Sequence, residues 1–129
     1  MIAVVDTAAG TFAVDLDSEE IEPWDGDFVA VAEPVLNLPR VVTAAAAGST
    51  VVAVVDTKPP LLVSYDAGAT WRESGRGLPA GRAVAIAEDD PDVVVFATRN
   101  RLFLSRNGGV FWTSLTVELP EITALLVQA

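Results

Sequence analysis

The sequence predicts an all-β chain built from a repeated unit of about 41 residues. Two observations carry that prediction. Short apolar runs such as "VVAVVD", "PLLVSY", "RAVAIA", "VVVFAT" and "RLFLS" are separated by Asp, Pro and Gly, the punctuation of strands and turns. And the chain matches itself without a gap when shifted by 41 positions: residues 52–79 align with 93–120, with nine of the 28 positions identical. No window shows sustained helical spacing between helix caps. A period near 41 made of short strands is the sequence signature of propeller blades.

The strands follow in order. If each blade runs from its innermost strand A outward to D, and the octets at 64–71 and 105–112 mark the hairpins between C and D, the chain begins at a B strand, "IAVVDT". "RVVTAAAA" and "RAVAIA" are A strands, "VVAVVD" is a B strand and "PLLVSY" a C strand. The end, "ITALLVQA", is an A strand again. The order is therefore BCD, ABCD, ABCD, A, or twelve strands, with blade repeats at approximately 1–39, 40–79 and 80–120 and a closing strand at 121–129. The first repeat is fainter. "VVDT" at 4–7 recurs at 54–57, and the Leu-Pro of "NLP" at 37–39 recurs at 78–79 and 119–120. The first copy is about ten residues longer between these landmarks, since 38 − 6 is 32 and 78 − 56 is 22.

Inside each of the two clear repeats lies an octet, "SYDAGATW" at 64–71 and "SRNGGVFW" at 105–112. Between two strands it has to fold back tightly. Gly68 and Gly109 can take positive φ. Asp66 and Asn107 offer acceptor oxygens to turn N–H groups. Ser64, Ser105 and Thr70 close further local bonds, and Trp71 and Trp112 supply large apolar plugs. The pattern S-x-D-x-G-x-T-W resembles the Asp-box of BNR-repeat β-propellers. Residues 64–71 match it at every defined position and 105–112 at Ser105, Gly109 and Trp112. With the following Leu-Pro, the chain is similar to propellers of the sialidase, photosystem II assembly factor, xyloglucanase and sortilin type. The resemblance covers residues 45–129 well and the first 40 poorly. It implies a box on the hairpin between the third and fourth strands, at the rim away from an active centre, and so implies fold rather than catalysis.

Three blades fall short of the four to eight of known rings, and an open arc leaves a sheet face and an edge uncovered. The expectation is a homodimer: two chains head to tail, each C-terminal A strand completing its partner's first blade, giving a six-bladed ring with a strand-exchanged closing blade.

Composition narrows the chemistry. The 129 residues are 51% hydrophobic, which excludes disorder. Net charge is −10 and the sequence pI about 4.1, which argues against nucleic acid and anionic membranes as partners. There is no cysteine and no histidine, so Ser-His-Asp and Cys-His catalysis and most zinc sites are excluded. The first residues lack a secretion signal, and a cytoplasmic location is the default.

The sialidase-like resemblance implies an arginine triad, a Tyr/Glu nucleophile pair and an Asp acid. Arg40 follows Pro39 outside the arginine motif of that family, and Tyr65 sits inside the octet. No catalytic residues are assigned. "DLDSEE" at 15–20 and "EDDPD" at 88–92 read as charged turns rather than metal sites, because neither has the glycine and ligand spacing of a calcium loop. Trp24 reads either as an exposed aromatic of a sugar or interface surface or as a displaced core tryptophan. Arg40 and Arg82 both open A strands and are the candidate channel-mouth site for an acidic ligand, against simple salt bridging to neighbouring acids. The expected role is a non-catalytic binding or scaffold module for a protein or a small acidic ligand, with no cofactor. The alternative is a carbohydrate-binding protein or a degenerate glycoside hydrolase.

Overall fold

A computed structural model describes residues 1–128. Three four-stranded antiparallel sheets account for all twelve strands, and among the described residues there is no helix. The second sheet is β4 (Val41–Ala47), β5 (Thr50–Val55), β6 (Leu61–Ser64) and β7 (Arg72–Ser74), in that order. The third is β8 (Ala83–Ala87), β9 (Asp90–Ala97), β10 (Leu102–Ser105) and β11 (Thr113–Ser114). The first is split between the ends of the chain: β12 (Ile122–Gln128) lies beside β1 (Ile2–Thr7), followed by β2 (Gly10–Asp15) and β3 (Ile21–Pro23). The strand order read from the sequence, BCD-ABCD-ABCD-A, is the order observed.

In the single chain described, the two ends of the split sheet meet. β12 pairs with β1 of its own chain, from Ile2 opposite Gln128 to Val5 opposite Leu125 and on to Thr7 opposite Ile122. The physical reason lies in the long first repeat. Its surplus residues fall between β3 and β4, where 17 residues (24–40) connect the sheets, against eight (75–82) and seven (115–121) at the corresponding connections. Seventeen residues can span at most roughly 55–60 Å when extended, enough to carry the chain from the outer strand of the first sheet back to the inner strand of the second. Within the one chain described, this connection lets both ends of the sequence reach the same sheet.

The sheets stack as an arc in the order second, third, first. β8 packs between β4 and β12, and two core clusters fill the two junctions. Val52, Val54, Leu61 and Val63 meet Val84, Val94, Phe96 and Phe103 between the second and third sheets. Ala85, Val95, Leu102 and Leu104 meet Ala3, Val5, Val14 and Leu125 between the third and first. This explains the continuous apolar runs, since a strand with a neighbouring sheet on each side buries both of its faces. All eight residues of β9 except its first three are buried. A third, smaller cluster covers the free face of the second sheet, where Ala44, Ala53 and Val55 are packed by Leu36, Leu38, Val41, Leu62 and Trp71. No core cluster among the described residues joins the first sheet to the second.

Candidate functional site

The two octets form the hairpins between the third and fourth strands of their sheets. In the first, the buried Ser64 hydroxyl donates to Asp66 Oδ1 (2.7 Å) and accepts the Gly68 N–H (2.8 Å). Asp66 Oδ1 also accepts the Thr70 N–H (2.8 Å), and its Oδ2 accepts the Thr70 hydroxyl (2.6 Å). Those Thr70 and Ser64 bonds favour the carboxylate and pull the Asp66 pKa down to about 2. Ala67 at φ +57° and Gly68 at φ +90° complete the turn. The second octet repeats the plan without the charge. Ser105 Oγ accepts the Gly109 N–H (2.8 Å), and Asn107 Oδ1 accepts the Phe111 N–H (3.0 Å).

The second octet also locks two sheets together. Trp112 packs on Phe96 with an edge-on ring geometry at 6.0 Å. Its indole N–H donates to Ser74 Oγ of the second sheet (2.9 Å), and Ser74 donates on to the Gly109 carbonyl. Tyr65 of the first octet donates its hydroxyl to the Gly108 carbonyl (2.8 Å). Arg106 then ties the third sheet to the first through Asp17 (2.8 Å). These contacts are architectural.

The other acidic motifs are turns. Asp15 Oδ1 accepts the N–H groups of Asp17 (2.8 Å) and Ser18 (2.9 Å), which lowers its pKa. Of "EDDPD", Glu88 and Asp89 form the turn between β8 and β9, and Asp90, Pro91 and Asp92 open β9 itself. Trp24 belongs to neither alternative cleanly: it is half-buried, joins no core cluster, and folds onto its own loop with its indole N–H on the Asp27 carbonyl (3.3 Å).

A concave feature lies at the centre of the arc. A cavity of about 600 Å³ is walled by the inner strands β4, β8 and β12 and by residues 28–33 of the long connection. Each inner strand is the terminal strand of its sheet, so each presents an unpaired backbone edge. The lining is rich in small residues, among them Ala44, Ala45, Ala46, Ala83, Ala85 and Ala124. Thr43 Oγ1 donates to Glu33 Oε1 (2.7 Å) and moors the strap to β4.

The structure separates the two arginines of the predicted mouth. Arg82 lines the cavity, and its guanidinium faces Glu121 at 3.4 Å, with Arg99 on the same carboxylate at 3.2 Å. Arg40 is exposed, sits at φ +61° in the turn before β4, and does not line the cavity. What the sequence reading missed is the strap. Its signals were present as the ten surplus residues of the first repeat and the alanine-rich inner strands, which leave room at the axis.

No family model and no curated protein matches this sequence. Among solved structures, the chain is similar to the crystal structure of a GH74 enzyme from Niastella koreensis, with a TM-score of 0.52 and 22% identity. The match covers 95% of this chain and 19% of that one, so the chain spans about a fifth of the length of the enzyme. At this identity the likeness is one of fold. The chain has a β-propeller-like fold, and its three sheets are blade-like units.

Proposed function

We propose that the protein is a non-catalytic binding module whose ligand occupies the axial cavity, and that its two octets are Asp-boxes serving only to hold the hairpins. The observation that carries this reading is the cavity itself. Its size lies in the roughly 300–1,000 Å³ range of ligand pockets, it is framed by three inner strands, and its lining joins apolar side chains to nearly as much polar surface, with Glu33, Arg82, Glu88 and Asp89 among the charged groups. The unit proposed is the single chain, because docking a second copy onto the free face of the second blade would have to lift Leu36 and Leu38 from the cluster of Ala44, Ala53 and Val55.

Support for an acidic ligand at the channel mouth is reduced by the pairing of Arg82 with Glu121 and by the position of Arg40. The lining carries the carboxylates of Glu33, Glu88 and Asp89, against the Arg82 guanidinium that Glu121 already engages and the N-terminal residue Met1. A carbohydrate-active role draws on the likeness to the GH74 enzyme, but Phe28 is the one aromatic side chain lining the cavity among the described residues, and sugar rings are usually held by stacking on several.

Titration with an uncharged, environment-sensitive apolar fluorophore tests the reading. Saturable binding is expected, and Ala46→Phe, which fills the cavity from an exposed position on β4, should abolish it while leaving the melting temperature close to that of the parent. Binding unchanged by Ala46→Phe would refute the assignment of the cavity.

A further inference from the structure

We infer that the cavity takes an extended peptide segment, apolar in its body and carrying lysine or arginine at one end, which pairs as an added strand with the backbone groups around the axis. This rests on the reading of the cavity as the binding site and names its ligand class.

The first reason is the strap. Residues 27–38 run on without a turn or a bend and belong to no sheet. Among the described residues, no backbone–backbone hydrogen bond involves residues 28–38. The exposure alternates along its second half, with Val35 and Asn37 outward and Leu36 and Leu38 inward, the two-residue period of a strand. An extended, β-prone segment with free N–H and C=O groups is a template for another strand. Most 17-residue connections in compact domains are either functional or disordered, and this one is too apolar for a polar linker: Phe28, Val29, Val31, Val35, Leu36 and Leu38 all fall within it.

The second reason is the opposite wall. β4, β8 and β12 are all edge strands, so main-chain donors and acceptors face the axis from more than one side. Their alanines leave the approach open. Addition of a strand to such an edge draws affinity from main-chain bonds, and specificity from the alternate side chains. The five residues of β8 between Arg82 and Glu88 correspond to about 17 Å at ~3.3 Å per residue, the length of five or six extended ligand residues.

The third reason is charge. At one end of β8 the cavity is lined by Glu88 and Asp89, which make no ion pair among the described residues, and along the strap by Glu33. At the other end Arg82 is already engaged by Glu121. Glu33, Glu88 and Asp89 leave the lining negative on balance, even against the N-terminal ammonium of Met1, which suits a cationic end on the ligand. The same charge selects against a second copy of this chain. Two straps paired antiparallel about Ala30 would set Asp27 opposite Glu33, and like charges opposed across a ladder are destabilising, between chains that each carry −10.

The test uses the capped, fluorescein-labelled hexapeptide Lys-Lys-Val-Ala-Val-Ala, the same peptide N-methylated at alternate residues, and a version with both lysines replaced by glutamate. Fluorescence anisotropy with the full chain should show saturable binding of the first peptide. N-methylation should weaken it about tenfold or more, as the loss of one or two net hydrogen bonds would. The glutamate version should bind more weakly still at low salt, and the charge-reversed variant Glu88→Lys/Asp89→Lys should narrow that difference. Equal binding of the parent and N-methylated peptides would overturn strand pairing. If no peptide binds while the apolar fluorophore does, the cavity remains a binding site and the peptide inference fails. Self-association of the unlabelled chain that Val31→Lys abolishes would assign the strap to a second copy and overturn it as well.

Discussion

The free face of the second blade and the corresponding face of the third carry related residues with different tasks. By the 41-residue repeat, Ala53, Val55, Leu62 and Trp71 on its free face correspond to Val94, Phe96, Phe103 and Trp112, which fill the junction between the second and third blades. Three of the four positions are smaller on the free face. The junction is closed by a whole neighbouring sheet, whereas the free face is closed by Leu36 and Leu38 from the strap. A segment two leucines wide cannot surround phenylalanine rings, and the face has been trimmed to what the strap can cover. The end of a repeat array, here as elsewhere, departs from the repeat where there is no neighbour.

Substitutions at corresponding positions measure that difference. Phe96 is fully buried and packs against Phe103, Trp112 and the backbone at Gly81. Phe96→Ala should cost about 3–5 kcal/mol in a denaturant titration. Its counterpart Val55→Ala should cost about 1.5 kcal/mol, at ~0.8 kcal/mol for each methyl removed. Equal costs at the two positions would mean that the free face is as tightly packed as the junction. Next in size is the pair of tryptophans. Trp112→Phe removes the bond to Ser74 and should cost about 1 kcal/mol beyond lost packing. Trp71→Phe should lack that component, because the Trp71 indole has no hydrogen-bond partner among the described residues.

The octets provide the smallest contrast, resolved by pH. Asp66 has a folded-state pKa of about 2, below its ordinary value of 3.8. A depressed carboxylate stabilises the fold above the unfolded-state pKa, and that contribution is lost as pH falls through the interval from about 4 to about 2. Melting temperatures should therefore drop over that interval, and the drop should be shallower in Asp66→Asn, which converts the first octet to the uncharged plan of the second. An unchanged pH profile in the variant would show that the hydroxyls of Ser64 and Thr70 do not act through the charged form.

Much of this architecture was legible in the sequence because a repeat exposes its own boundaries. Val52/Val93, Leu61/Leu102 and Trp71/Trp112 fixed the register of two blades, and the "VVDT" at 4–7 placed the start of the chain on a B strand. The split blade followed from counting strands. Which chain supplies the closing strand was not legible, since the same β12 satisfies β1 whether the two belong to one molecule or to two. The candidate site was hidden for a different reason: it is made of alanines, backbone edges and an irregular strap, none of which has a side-chain signature. Arg40 and Arg82 looked equivalent because both precede A strands. Glu121, the residue that distinguishes them, comes from β12's approach on the far side of the chain and could not be paired with Arg82 by spacing.

Self-closure of the split blade is the claim on which the strap, the cavity and the proposed ligand all depend. The chain contains no cysteine, so the double variant Ile2→Cys/Gln128→Cys reports on it directly, because these two residues lie opposite each other in the β1–β12 ladder. Mild oxidation followed by non-reducing electrophoresis should give a cross-linked species at the 13.5 kDa mass of one chain, with faster migration than the reduced form. A covalent dimer as the main product would show that β12 completes the blade of another molecule, and would contradict the account.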